Sequence, residues 1–207
     1  MKVEKYVVGI IGTNCYLVIN EDTKETVMVD PGGYPEELKN EIKQKGLKIQ
    51  AVLLTHAHFD HIMGLADVMK DFAVPVYVEE MDKDMLTDGD MNLSGGYMNG
   101  GFQFENARTV TDGQVLEIAG FRFQVIHTPG HTPGGCCYYE KEEGVLFSGD
   151  TLFHTSVGRS DFPGGSASDL VRSVREKLLV LPEKTHVYPG HMDETTIGYE
   201  KLYNPFV

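Results

Sequence analysis

A chain of 207 residues with 41% apolar side chains is long enough to bury one substantial core, which points to a single domain over residues 1–207. Its formal net charge of −13, with no Lys/Arg stripe, argues against a nucleic-acid partner, and no apolar run of about 18 residues is present to cross a membrane. Three cysteines, two of them adjacent at Cys136 and Cys137, make no disulfide framework. Together with the charged start Met1-Lys-Val-Glu-Lys-Tyr6 they place the expected site of action in a reducing cytoplasm.

In chain order, Thr13-Asn-Cys-Tyr16 and Val27-Met-Val29 read as strands, the second ending in Asp30-Pro-Gly-Gly33. A helix is predicted over Glu36 to Lys45. The apolar run Ala51 to Leu54 reads as a buried strand that opens into Thr55-His-Ala-His-Phe-Asp-His61. Ile62, Leu65, Ala66 and Met69 recur at helical spacing, predicting a helix over His61 to Phe72. Asp88 to Gly101 is a long glycine-rich excursion, read as a flap near an active site.

Phe121 to Ile126 alternates like a strand and precedes His127-Thr-Pro-Gly-His131. Cys15, Cys136 and Cys137 lie in strand-like runs and read as core packing. Val145 to Asp150 and Thr185 to His191 each end on a polar residue after glycine. Between them, Leu170, Val174 and Leu178 supply the buried stripe of a helix over Ser168 to Leu179, with Ser168 as N-cap. Two strand–helix–strand units, one ending at His56 and one at His191, echo each other and would bring two ligand sets to one edge.

His56, His58, Asp60 and His61 fall within six residues, and His131, Asp150 and His191 follow at strand ends. Neutral imidazole and carboxylate are the donors that Zn²⁺, Fe or Mn prefer. Alternate residues of an extended segment point the same way, so His56 and His58 can serve one ion together. Seven such donors suit two metals.

These motifs resemble the metallo-β-lactamase-fold hydrolases from end to end. Gly158-Arg-Ser-Asp-Phe-Pro-Gly-Gly165 and the closing Asn204-Pro-Phe206 narrow the resemblance to the glyoxalase II (hydroxyacylglutathione hydrolase) group in a short single-domain form. The resemblance implies an α/β four-layer αβ/βα sandwich. It also implies a first metal on His56, His58 and His131, a second on Asp60, His61 and His191, and Asp150 bridging the two. The ions would be Zn²⁺, with Fe or Mn as alternatives. The implied activity is hydrolysis of a small-molecule thioester by a metal-bound hydroxide, with Asp60 and Asp150 as the catalytic carboxylates in the role of ligands. Full-length glyoxalase II carries a C-terminal helical domain with basic residues that hold glutathione. This chain reaches Val207 with room for only a short helix and a tail, so that clamp is not carried over and the thiol partner stays open, as does the oligomeric state.

Competing readings share the same motifs. A mononuclear iron persulfide dioxygenase would use His56, His131 and Asp150 as a facial set. A lactonase, or a redox or sensing module on the same fold, are further alternatives. Asp30 is expected to orient a ligating imidazole, and Arg159 with Asp161 to form a supporting ion pair. His127, His154 and His186 have no place in the ligand pattern.

Overall fold

Two mixed β-sheets meet face to face, and the chain enters the second only after completing the first. The computed structural model describes residues 1–207. The first sheet contains β1 (Lys2–Val8), β2 (Thr13–Ile19), β3 (Glu25–Val29), β4 (Lys48–Leu53), β5 (Val76–Glu79) and β6 (Ala107–Val110) in that spatial order. β1 to β3 are antiparallel neighbours, while β3 to β6 run parallel. The chain continues through β7 (Val115–Ile118), β8 (Phe121–His127), β9 (Cys136–Glu140) and β10 (Val145–Gly149). A short ribbon of β11 (Leu152–Phe153) and β12 (Ser156–Val157) follows, then β13 (His186–Pro189) and β14 (Thr195–Thr196). The second sheet has the order β14-β13-β10-β9-β8-β7.

Side-chain alternation explains why the sheets pack as they do. On β2, Tyr16 and Val18 face the partner sheet, whereas Cys15, Leu17 and Ile19 face outward under helices; on β9, Cys136 and Tyr138 face inward and Cys137 and Tyr139 outward. A central apolar layer of Tyr16, Val27, Val29, Leu53, Phe123, Tyr138 and Phe147 therefore lies between the sheets. Each such side chain contributes about 1.5–3 kcal/mol on full burial. Helices α1 (Glu36–Gln44), α2 (Phe59–Ile62) and α3 (Leu65–Asp71) cover the first sheet. Helices α4 (Ala167–Ser173) and α5 (Ile197–Tyr203) cover the second. The result is the four-layer sandwich expected from the sequence. All three cysteines are buried and free, as core packing requires, and no helix is long and apolar enough to cross a membrane.

The two echoed units are real: β3–α1–β4 and β10–α4–β13 each join parallel strands through a helix. Two local expectations need correction. The helix predicted from His61 to Phe72 starts earlier, at Phe59, and breaks at Met63 and Gly64 before resuming at Leu65. The break arises because the Asp30–Gly33 turn presses on this point: Gly64 N donates to the Pro31 carbonyl at 2.8 Å. A Cβ on Gly64 would lie 2.6 Å from that oxygen. The N-cap of α4 is Ser166, whose Oγ accepts from Asp169 N at 3.3 Å, and Ser168 lies inside the first turn. The helix then widens into a π-turn over Val174–Leu178, keeping Leu170, Val174 and Leu178 buried.

Gly64→Ala should therefore destabilise the fold by about 2 kcal/mol, the cost of overpacking a tight site, read as a lower denaturant midpoint at unchanged slope. An unchanged midpoint would show that the turn yields freely.

Candidate metal centre

Every candidate ligand leaves the C-terminal end of a strand. β4 leads to His56 and His58, the latter on extended backbone, and α2, which follows at once, carries Asp60 and His61. β8 leads to His131, β10 to Asp150 and β13 to His191. A register shift between Phe147 and Gly149, where β10 pairs with β13, re-aims the backbone just before Asp150. All seven side chains converge on one edge of the sandwich.

They form three overlapping groups, His56/His58/His131, His56/His61/Asp150 and Asp60/His61/His191, in each of which the donor atoms lie within 4.8 Å of one another. His58 Nδ1 is 2.9 Å from His131 Nε2. Asp150 sits between the groups: Oδ1 is 3.4 Å from His61 Nε2, and Oδ2 is 3.5 Å from His131 Nε2 and 3.6 Å from His191 Nε2. Asp60 Oδ2 is 3.1 Å from His191 Nε2 and 3.3 Å from His61 Nε2. Gly190 makes room for this; a Cβ there would lie 2.3 Å from Asp150 Oδ1 and 2.7 Å from the His61 ring.

The chemistry of the cluster fits a cation. His56 Nε2, His61 Nε2 and Asp150 Oδ1 are buried with no hydrogen-bond partner, an arrangement that proteins otherwise avoid. Burial, then the neighbouring imidazoles, pushes His56 well below its ordinary value and His58 down to about 3, so both are neutral donors. Burial would raise Asp60 and Asp150, but His61 first among their neighbours outweighs it and holds both carboxyls down, ionised. For His61 burial works downward, yet Asp60, Asp30 and Asp150 together hold it well above the usual range. Neutral imidazoles beside ionised carboxylates are the state in which a metal is bound, and a proton on His61 is one that a cation would displace.

The surrounding contacts set each donor's direction. Arg159 O lies 2.7 Å from His131 Nδ1; an N–H donating there leaves the Nε2 lone pair facing the cluster. Asp30, in a left-handed conformation (φ 50°), accepts from Thr55 N at 2.8 Å and Thr55 Oγ1 at 2.7 Å. Its Oδ2 also reaches within 3.0 Å of His61 Nδ1 in a bent approach, in line with the orienting role read from the sequence. Thr13 Oγ1 donates to Asp60 Oδ2 at 2.8 Å. Asn14 Nδ2 donates to the Pro189 and Met192 carbonyls, both at 3.0 Å, and Tyr16 OH to Pro189 O at 2.7 Å, pinning the His191 turn. These roles of Thr13 and Asn14 were not legible, although the motif that contains them was noticed.

Asp82 was missed altogether. Fully buried just beyond β5, it accepts from Ala57 N at 3.0 Å, Thr132 Oγ1 at 2.8 Å and Gly134 N at 2.6 Å. It thereby ties the His56–His58 loop to the His131 loop. Only its place in the acidic run Glu79-Glu80-Met81-Asp82 hinted at anything unusual.

The histidines set aside are indeed elsewhere: His127 Nε2 pairs with Pro133 O, His186 with Glu194, and His154 lies against the Tyr199 ring. Arg159 forms the expected ion pair, with Nε and Nη2 donating to both Asp161 oxygens at 2.9 and 2.8 Å, and lies over the Phe162 ring. Above the cluster opens a cavity of about 260 Å³ whose apolar walls are Ile11, Phe59, Leu93, Phe153 and Phe162. A larger, shallower hollow of about 660 Å³ around Tyr6, Val8, Tyr34 and Leu38 includes none of the donors.

Residues 8–191 match the family model of the metallo-beta-lactamase superfamily. The chain belongs to that superfamily. Among solved structures it is similar to the BLEG-1 B3 metallo-beta-lactamase, at 42% identity and a TM-score of 0.94, with 99% of each chain covered. It is also similar to TTHA1623, solved in a di-iron-bound form, at 37% identity and a TM-score of 0.86, covering 99% of this chain and 100% of that one. The hydroxyacylglutathione hydrolase GloC of Haemophilus influenzae is 35% identical over 209 residues, covering 100% of this chain and 98% of GloC. As a member of the metallo-beta-lactamase superfamily the protein is a metallo-hydrolase, and its His/Asp cluster is the metal-binding site.

Asp82 supplies a pH test of the loop tie. Burial, partly offset by its three donors, pushes its carboxyl from 3.8 up to about 6. The folded chain thus keeps the proton longer than the unfolded one. The stabilisation from the protonated carboxyl is full below pH 3.8 and is lost as pH rises to about 6. Wild-type stability relative to Asp82→Asn should fall across that window. A flat difference would place the carboxyl in a wetter setting. Asp82→Ala, leaving buried donors unpaired, should cost about 3 kcal/mol.

Proposed function

We propose that this metallo-hydrolase is a thioesterase of the hydroxyacylglutathione hydrolase type that works with two divalent metal ions. The carrying observation is Asp150, placed between two donor groups at the floor of an apolar cavity. On this reading His56, His58 and His131 hold one ion, Asp60, His61 and His191 the other, and Asp150 both. Zn²⁺ is the pair favoured by this nitrogen and oxygen set, with iron, the metal of the TTHA1623 structure, as the alternative. Such a pair supplies Lewis acidity and a water that is acidic near neutral pH, about 7 for zinc.

The protein's part is positioning. Asp60 accepts from Thr13 and faces His191, so it is committed as a ligand and not free to act as an independent base. Arg159 O and Asp30 fix the imidazoles of His131 and His61 before substrate arrives. Ile11, Phe59, Phe153 and Phe162 line the cavity and limit water around the acyl carbonyl. No cysteine is available as nucleophile: burial pushes Cys137 up to about 11, and Cys15 and Cys136 are driven up by the same cause. A thiolate is a good leaving group, so no dedicated acid is needed on its side. Three free buried thiols are in keeping with action in a reducing cytoplasm, and residues 1–207 are taken as one catalytic domain.

A second reading, hydrolysis of a β-lactam, is favoured by the similarity to the BLEG-1 structure. Side-by-side kinetics on S-lactoylglutathione, an uncharged thioester and a chromogenic cephalosporin separate the two.

Protein purified without added metal should hold close to two metals per chain, and its thioesterase rate should rise with pH through an apparent pKa of about 7 before levelling. Asp150→Ala should lower turnover by more than about a hundredfold while circular dichroism stays native. Thiol alkylation should leave activity intact. Retained thioesterase activity in folded Asp150→Ala protein, or one iron per chain with oxygen uptake on a persulfide, would defeat the proposal.

A further inference from the structure

The segment from Asp88 to Gly101 is not a loose flap. Asn92 and Ser94 are fully buried, and Asn92 organises the whole excursion. Its Nδ2 donates to the Met85 carbonyl at 2.8 Å and the Phe102 carbonyl at 3.1 Å, while its Oδ1 accepts from Ser94 N at 3.0 Å and Ser94 Oγ at 2.5 Å. Ser94 Oγ in turn accepts from Phe102 N at 2.6 Å, closing the base of the loop. The loop is fastened to the ligand loop by two contacts on one residue. Phe59 N, between His58 and Asp60, donates to Asn92 O at 2.8 Å, and the Phe59 ring stacks on Tyr97 at 4.3 Å.

With its two neighbours buried, Leu93 is the residue left to face the cavity. It does so in the left-handed conformation, φ 65° and ψ 9°, which a leucine rarely adopts. Strain of this kind persists only where the surroundings impose it, and it gathers at functional sites. Leu93 forms a wall of the cavity above the metal-binding cluster together with Ile11, Phe153 and Phe162. The one cationic side chain on the lining, Arg159, already has both Asp161 oxygens and the Phe162 face. Away from the donors the lining is Ile11, Phe59, Leu93, Phe153 and Phe162, so an alkyl chain finds apolar surface there.

We propose that the segment 88–101 is a specificity element, and that through Leu93 it selects substrates with an uncharged, apolar acyl chain. The choice of thioesters as substrates rests on the thioesterase reading; the apolar wall does not. Leu93→Gly suits the left-handed backbone and removes the wall. Leu93→Asn also tolerates that backbone and keeps comparable bulk, but makes the wall polar.

The test is binding of unbranched carboxylates from acetate to octanoate to the metal-loaded proteins, followed by calorimetry. For wild type, affinity should rise by about fourfold per methylene, the factor equivalent to about 0.8 kcal/mol per buried CH₂, until the cavity is full. Both variants should flatten the rise to less than about twofold per methylene. Hydrolysis of N-acetylcysteamine thioesters of the same acids should follow the same order. A slope shared by wild type and variants would overturn the role of Leu93. A steep carboxylate series that the variants flatten, in protein that cleaves no thioester, would uphold the wall and overturn the thioesterase reading.

Discussion

A buried polar atom without a partner costs on the order of 1–3 kcal/mol, and this protein gathers several at one point. His56 Nε2, His61 Nε2 and Asp150 Oδ1 face one another in an interior that gives them no hydrogen bond. Left to relax, such rings would rotate toward water or toward a carbonyl. The architecture is best understood as the set of restraints that prevents this. Parallel strands from two sheets end at the same edge, and each delivers its donor on a turn held by other parts of the chain.

Those restraints cross between sheets. Tyr16 and Asn14, from the first sheet, hold the Pro189–His191 turn of the second. Cys136 N donates to Thr55 O at 2.8 Å and Tyr138 OH to Leu54 O at 2.9 Å, from the second sheet back to the strand end that opens the ligand loop. The seam beneath the centre is therefore hydrogen-bonded in both directions, and the apolar layer of Tyr16, Phe123 and Phe147 lies directly below it. Packing fixes how far apart the sheets sit, and the cross-sheet hydrogen bonds convert that spacing into donor positions. Folding and metal binding draw on the same contacts.

What the sequence revealed follows from this division. The candidate donors were legible because each follows a local pattern: His131, Asp150 and His191 come after an apolar run and a glycine or proline turn, and the four in the Thr55–His61 stretch follow the apolar run Ala51–Leu54 directly. His56, His58, Asp60 and His61 needed no partner elsewhere to be noticed. The layered fold was legible in the two echoed strand–helix–strand units, and residues 8–191 match the superfamily model. Asp82 was not legible, because its meaning lies in Thr132 and Gly134, 50 and 52 residues away. Nor was the helix break at Gly64, since periodicity through Ile62, Leu65 and Met69 continues past it. That break comes from the Pro31 carbonyl pressing from another turn. Ser166 beat Ser168 as a cap for a local reason, a difference of two residues that propensity alone does not resolve.

The distribution of backbone strain shows where the fold keeps its freedom. Of the six non-glycine residues with positive φ, Lys24 and Ala119 sit in turns between strands remote from the cluster. Asp30 and Met192 flank the donors, one reaching His61 and the other following His191, and Leu93 lies on the cavity wall. Thr155 makes the turn of the short β11–β12 ribbon, so all six lie outside the strands and helices, and three of them border the donors or the cavity. The scaffold thus fixes the chemistry, while the loops resting on it shape what can reach it. Asn92, joined to Phe59 by one backbone hydrogen bond, links these two levels: the same ligand loop that aims His58 and Asp60 also anchors the segment that carries Leu93. A change of acyl preference in this protein can therefore arise from residues 88–101 without disturbing the donors, provided Asn92 keeps its hold.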